Sequence, residues 1–147
     1  MTKPETKKHK LGNHVFLTAE IGTNHMGSID IAKKIIDVAA DAGCDAVKFQ
    51  KKNVEKIYAK KFLDSPLESP WGTTQREQKE GLEFTKEEYD QINNFCNDIN
   101  IQWSASAWDT ESLKFIEAYN PSFHKIASPM LGNKALLRDV SSIGKLT

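Results

Sequence analysis

The sequence predicts an α/β fold built on a parallel sheet, and three observations carry that reading. Short apolar runs of strand length alternate with segments of helical periodicity. The helical segments open on capping residues, and two close on glycine. Polar residues suited to chemistry gather at the strand ends, where folds of this class keep their sites. Parallel strands joined through helices call for right-handed crossovers.

Val15, Phe16 and Leu17 supply the first apolar run, a strand expected to end at Glu20. A loop with Gly22, Asn24, His25 and Gly27 follows, and Ser28 is placed to cap the next helix. That helix spans Ile29 to Ala42, with Ile31, Ile35, Val38, Ala39 and Ala42 at helical spacing and Gly43 as its stop. Ala46 to Gln50, AVKFQ, is the second strand. A long segment from Lys51 to Phe84 carries Pro66, Pro70 and Gly72; connections of this length are functional or hold short structure of their own. Thr85 and Glu88 form a capping box for a helix from Lys86 to about Asn97, with Tyr89, Ile92, Phe95, Cys96 and Ile99 on its apolar side. Ile101 to Ser106, IQWSAS, is the third strand, and Asp109 or Thr110 caps a helix through Tyr119. Phe123 to Ser128, FHKIAS, reads as a fourth strand. Asn133 caps a last helix through Ile143, closed by Gly144, and Lys145 to Thr147 read as the approach to a fifth strand.

Composition narrows the class. Twenty Lys and Arg balance twenty Asp and Glu, so no basic field argues for nucleic acid. No apolar run reaches the length of a membrane span. Residues 1–14 are basic but lack the apolar centre of a signal peptide, and are expected to form a flexible lead-in to one domain over 15–147. Cys44 and Cys96 stand in element interiors without metal-ligand spacing, which suits two reduced, buried thiols in a cytoplasmic protein.

The strand ends bear the chemistry. Glu20 closes the first strand. Lys48 and Gln50 alternate with Val47 and Phe49, so they share one face of the second. Ser104 and Ser106 lie on the third, followed by Asp109; Lys125 and Ser128 lie on the fourth. Lysines in buried-strand contexts are costly unless they meet an anion. Lysines and serine hydroxyls at one rim suit a phosphate or carboxylate. The alternative is that Lys48 pairs with Glu20 as an ion pair that fills the interior. No G-x-G-x-x-G follows any strand, so a dinucleotide site has no support. A closed (β/α)8 barrel needs roughly twice this length, and a doubly wound open sheet competes with it; periodicity does not separate the two.

EIGTNHMGS, DAGCDAVKFQ, SPWGTTQREQKEGLEF, SAWDTES and HKIAS together resemble the N-terminal catalytic part of the N-acetylneuraminate (sialic acid) synthase family, over Val15 to Thr147. The resemblance implies a TIM barrel of which the first four βα units are present. The activity implied is condensation of phosphoenolpyruvate with an N-acetylated amino-sugar, such as N-acetylmannosamine, to a nine-carbon 2-keto sugar acid and phosphate. It further implies a divalent metal, manganese or magnesium, and a homodimer whose C-terminal antifreeze-like domain caps the partner's barrel. Carried over by position, Lys48 and Lys125 hold phosphoenolpyruvate, with Ser106 and Ser128 donating hydrogen bonds to it. Glu20 stands near the reacting aldehyde and a metal-bound water, and Gln50 near the sugar. Asn24 and His25 belong to a signature loop of unassigned duty.

Two departures qualify the resemblance. Pro129, Met130 and Leu131 follow KIAS where neuraminate-specific relatives often have Gly-Glu, which leaves a legionaminate or pseudaminate synthase as an alternative. The family's metal-binding histidines belong to later strands, and His14, His25 and His124 lack the spacing to replace them. The expectation is therefore half of a barrel, truncated before its fifth strand, without the C-terminal domain, binding no metal and inactive alone. A non-catalytic half-barrel or assembly subunit is the reading of another class.

Overall fold

A computed structural model describes residues 15–147. The expected lead-in, with His14, lies outside the described residues. Strands β1 (Thr18–Gly22), β2 (Ala46–Lys51) and β5 (Gln102–Ala107) form a parallel sheet in the order β1–β2–β5. Their sequential order is that of successive βα units, with the first strand at an edge. A small antiparallel hairpin, β3 (Pro66–Ser69) and β4 (Gly72–Thr74), stands apart in the long connection, with short helices α2 (Val54–Ile57), α3 (Lys60–Leu63) and α4 (Gln75–Gly81) around it.

The main helices begin where the sequence places them. Ser28 caps α1 (Ile29–Asp41) by accepting from the Ile31 N–H. Thr85 and Glu88 close a reciprocal capping box on α5 (Lys86–Asp98). Asp109, rather than Thr110, caps α6 (Thr110–Glu117). Asn133 caps α7 (Lys134–Ile143), and Gly144 ends it in the left-handed conformation.

Helices cover one face of the sheet. Val47 and Phe49 of β2 and Trp103 and Ala105 of β5 join Ile36 and Ala39 of α1, Tyr89, Ile92 and Cys96 of α5, and Ile116 of α6 in one core. Strand alternation turns Lys48, Gln50, Ser104 and Ser106 to the opposite face. The fold thus separates an apolar packing face from a face of small and charged side chains, and the second is where a ligand would be met.

Two expectations are corrected. The first strand is Thr18–Gly22, not the run from Val15 to Glu20. Leu17 precedes the ladder, and its carbonyl accepts from the Asp45 and Ala46 N–H groups. Val15 and Leu17 are exposed because β1 is an edge strand, and the residue this strand buries in the core is Ile21. Phe123 to Ser128 is not a strand. Phe123 forms one parallel bridge with Leu146, and its carbonyl accepts from the Ser104 hydroxyl instead of a β5 N–H. Ser128–Met130 turns into a short 3-10 helix containing Pro129, which has no N–H for a ladder.

The long connection is docked rather than free. A Cβ at Gly81 would collide with the Trp71 ring, and one at Gly27 (φ +68°) with the Gly81 carbonyl. The loop after β1, the hairpin and the end of α4 therefore meet at two glycines.

Candidate active site

Lys48 is the centre of the polar face. It is only 6% exposed. Its neighbour across the ladder on β1 is Glu20, and the two form an ion pair. Its Nζ also donates to Ser106 Oγ of β5 at 3.0 Å. The ion pair held open as an alternative therefore exists, but it does not seal the site. Glu20 and Lys48 both line a cavity of about 370 Å³, together with His124 and Lys125. Two lysines, one buried and one exposed, thus open on the same space with one half-exposed carboxylate. Such a set suits an anion whose charged groups compete with Glu20 for Lys48.

The remaining candidates are placed as follows. Ser106 is buried and reaches the cavity group through Lys48. Gln50 lies beside Glu20 across Gly22, where a Cβ would sit 3.4 Å from Glu20 Oε1 and 3.5 Å from Gln50 Nε2. Gly22 holds φ +57° where the β1 register slips, so the strand can bend there without a side chain in the way. Ser128 is exposed at the start of the 3-10 turn and is not among the cavity's lining residues. Asn24 is exposed, and its amide closes the loop on the Ile21 carbonyl at 2.9 Å.

His25 turns inward, away from that cavity. It is 2% exposed and stacks on Phe84 at 4.0 Å. Burial lowers its pKa from 6.5 to about 4, against a smaller opposing pull from Glu88. The neutral ring accepts the Gly27 N–H at Nδ1, 3.1 Å. In this arrangement it braces the signature loop.

Sequence reasoning missed a second charged cluster just past β2. Lys51 and Lys52 share Glu83, at 3.4 and 3.9 Å. Burial raises the Glu83 pKa, against the two lysines, and burial lowers that of Lys52. Lys51 also donates to the Phe84 carbonyl at 2.9 Å, and Lys52 stands over the Trp108 ring at 4.9 Å. The double lysine at a strand end, facing an acid just before the α5 cap, was the available signal. Asp109 joins the same region: burial raises its pKa, but hydrogen bonds from Ser112 and the Asn53 N–H outweigh this and hold it low.

Among the described residues no group of three or more His, Cys, Asp or Glu side chains is placed to hold a metal ion. Glu20 is paired with Lys48, His25 is stacked on Phe84, and His124 is bound to Glu117. The donors present do not fit a metal centre by themselves. Among the described residues no helix is long and apolar enough to cross a membrane.

Comparison with known proteins adds a family to this geometry. The model of the NeuB family matches residues 35–146. The chain is 41% identical over 136 residues to the N-acetylneuraminate-9-phosphate synthase of Drosophila melanogaster, covering 91% of this chain and 37% of that protein. It is 36% identical over 137 residues to the synthase of the same name from Mus musculus, covering 91% and 38%. Among solved structures it is similar to the N-acetylneuraminic acid (sialic acid) synthetase of Leptospira borgpetersenii serovar Hardjo-bovis in complex with citrate. The TM-score is 0.75 at 28% identity, over 93% of this chain and 47% of that one. The chain therefore spans less than half the length of the relatives it matches.

Proposed function

Because this chain belongs to the NeuB family, we propose that it forms the donor-binding wall of a sialic-acid-type synthase. That enzyme joins phosphoenolpyruvate to an N-acetylated amino-sugar, giving a nine-carbon 2-keto sugar acid and phosphate. The observation that carries the reading is the buried Lys48, held between Glu20 and Ser106 on a cavity that Lys125 shares.

In this reading Lys48 and Lys125 hold the donor's phosphate and carboxylate. Fixed cations orient the donor and offset its charge at little reorganisation cost. The enol carbon attacks the sugar aldehyde, whose oxygen becomes negative. Water adds to the neighbouring carbon, and phosphate then leaves from it. Glu20, half exposed at the cavity edge, is the group available to orient or deprotonate that water. Ser106 fixes Lys48, and Gln50 stands beside Glu20 on the sugar side. The divalent metal of this reading, which would stabilise the aldehyde oxygen, takes its ligands from outside the described residues. A homodimeric complete protein belongs to the same reading.

A second reading concerns the acceptor. The relatives at 41% and 36% identity are named for a product phosphorylated at carbon 9. Phosphoenolpyruvate supplies three carbons of a nine-carbon product, so carbon 9 is carbon 6 of the sugar. The preferred acceptor is then an N-acetylated hexosamine 6-phosphate rather than the free sugar or a diacetylated precursor of the legionaminate type.

Calorimetric titration of this chain with phosphoenolpyruvate tests the main reading. Saturable binding that competes with inorganic phosphate is expected. No binding at millimolar concentration would remove the donor assignment.

A further inference from the structure

Three lysines stand at or just past the end of β2, and the last differs from the other two. Lys48 Nζ bonds Ser106 and pairs with Glu20, and Lys51 Nζ donates to the Phe84 carbonyl at 2.9 Å. Lys52 Nζ makes no hydrogen bond among the described residues, although its side chain is only 6% exposed. The acid it pairs with, Glu83 Oε1, lies at 3.9 Å, beyond hydrogen-bond reach. Glu83 already serves Lys51 Nζ and the Lys52 N–H. The Trp108 ring, 4.9 Å away, offers Lys52 a π face instead of a lone pair.

Nor is this nitrogen sealed in. Among the described residues, Trp108 Nε1 is the side-chain nitrogen or oxygen that is both closed to solvent and without a hydrogen bond. Lys52 Nζ, equally unbonded, therefore keeps open surface. Lys52 forms the wall of a cavity of about 330 Å³ with Asn53, Glu55, Glu80, Glu83 and Thr85. That cavity shares no lining residue with the one at Lys48.

We propose that Lys52 is a nucleophilic amine that captures a small neutral aldehyde in this cavity as an imine. The amine nitrogen adds to the aldehyde carbon, and the carbonyl oxygen becomes the hydroxyl of a carbinolamine. That hydroxyl leaves as water when the carbon–nitrogen double bond forms, and no oxidant or reductant is needed. Glu83, whose pKa burial raises, is the adjacent base for the ammonium proton and can return it to the leaving hydroxyl.

The surroundings decide both the amine's protonation and the class of ligand. Burial pulls the Lys52 pKa below the usual lysine value; Glu83 opposes this and Lys79 adds to it. A larger share of neutral amine results than on an exposed lysine. On the wall, Glu83 is shared with Lys51 and Glu55 is paired with Arg76, while Glu80 makes no ion pair among the described residues. An anionic carbonyl compound would meet Glu80 and Glu83 at close range. A neutral hydroxyaldehyde, the open-chain form of a short sugar, avoids that repulsion and suits the amide of Asn53 and the hydroxyl of Thr85.

The test is reductive trapping on the 147-residue chain. Glyceraldehyde and cyanoborohydride are added near neutral pH, and peptide mass mapping reads the initial labelling rate at each lysine. Lys52 should label at least about fivefold faster than Lys60 and Lys134, which are exposed. In urea the ratio should fall to about one. A ratio below about two in the folded chain overturns the proposal. So does a preference that survives unfolding, because it then belongs to the local sequence. Glyoxylate tests the ligand's charge: the Lys52 preference should be at least about threefold smaller with this anion. An equal or larger preference overturns the neutral-aldehyde assignment. In Lys52→Arg the fast phase of total labelling should vanish, and a fast phase that persists rejects Lys52 as its source. Should that variant fail to fold, the comparison among lysines of the wild type decides.

Discussion

Lysines leave β2 in two directions and end in opposite circumstances. Lys51 and Lys52 meet one carboxylate, Glu83, that is itself mostly buried. Aromatic rings stand over both cations, Tyr89 and Phe115 for Lys51 and Trp108 for Lys52, and the Phe84 carbonyl takes a Lys51 proton. That cluster pairs its own charges and ties the long connection back to the sheet, with Lys52 and Glu83 on the wall of a separate cavity of about 330 Å³. Lys48, three residues earlier, is as deeply buried, but its carboxylate partner is half exposed and its space is shared with Lys125 and His124. A buried lysine is therefore not a site by virtue of burial. What distinguishes Lys48 is a partner that an incoming anion can displace.

The largest effect should come from breaking the Glu83 cluster. Glu83→Gln leaves Lys51 and Lys52 without their shared charge, and removing one side of a buried pair commonly costs about 3–5 kcal/mol. Urea denaturation should show a loss of about 3 kcal/mol, with anion affinity at Lys48 changed by less than about threefold. A stability change under about 1 kcal/mol would mean that the lysines reach water once Glu83 is neutral, and the contrast with Lys48 would fade.

The open lysine should behave the other way. Lys48→Met replaces a paired charge by an apolar chain of similar reach, so stability should move by less than about 1.5 kcal/mol. Phosphoenolpyruvate affinity should fall more than tenfold, about 2 kcal/mol or more, through loss of a charge-assisted contact. Lys125→Ala, at an exposed position, should lower affinity by less. Normal donor binding by both variants would make these lysines structural.

His25 sharpens the comparison from the loop side. Its folded pKa of about 4 lies below the usual 6.5, so the unfolded chain binds more protons between those values. The stability it contributes is fully present above about pH 6.5 and is lost as pH falls toward 4. The loss amounts to at most about 3.4 kcal/mol. His25→Phe keeps the contact with Phe84 and removes the titration. Denaturation between pH 4 and 7 should give a flatter profile for the variant, and parallel profiles would show that His25 is solvated.

How much of this was legible in the sequence follows from the range of each interaction. Ser28, Thr85 with Glu88, Asp109 and Asn133 mark helix starts by bonds to their own neighbours, and all four cap, the structure deciding for Asp109 where the sequence left Thr110 open. The alternation in AVKFQ placed Lys48 and Gln50 on one face for the same reason. Phe123 to Ser128 misled because an apolar run does not reveal where its N–H groups find acceptors. Here Ser104 takes the Phe123 carbonyl and Leu146 the His124 N–H. Glu83 meets Lys51 across 32 positions and Glu117 meets His124 across seven, through the irregular stretch after α6, and no periodicity announces either. His25 read as a candidate site residue of the signature loop because its stacking partner, Phe84, lies 59 residues on.

The smallest binding effect should come from Glu20, and it separates two duties for the same carboxylate. Glu20 either serves to hold Lys48 or acts on the water that joins the donor. Its side chain is 53% exposed, so water can take over much of what it gives Lys48. Ser106 would still hold the Nζ. Glu20→Gln should therefore leave donor affinity within about threefold, and shift it upward, because a negative neighbour of the anion is gone. Turnover of the complete enzyme should fall by about a hundredfold if the carboxylate handles the water proton, with KM for the donor barely changed. Steady-state rates paired with calorimetry read both quantities. If donor affinity instead collapses as for Lys48→Met, the ion pair itself builds the site. The open lysine would then depend on its partner as fully as Lys51 and Lys52 depend on Glu83.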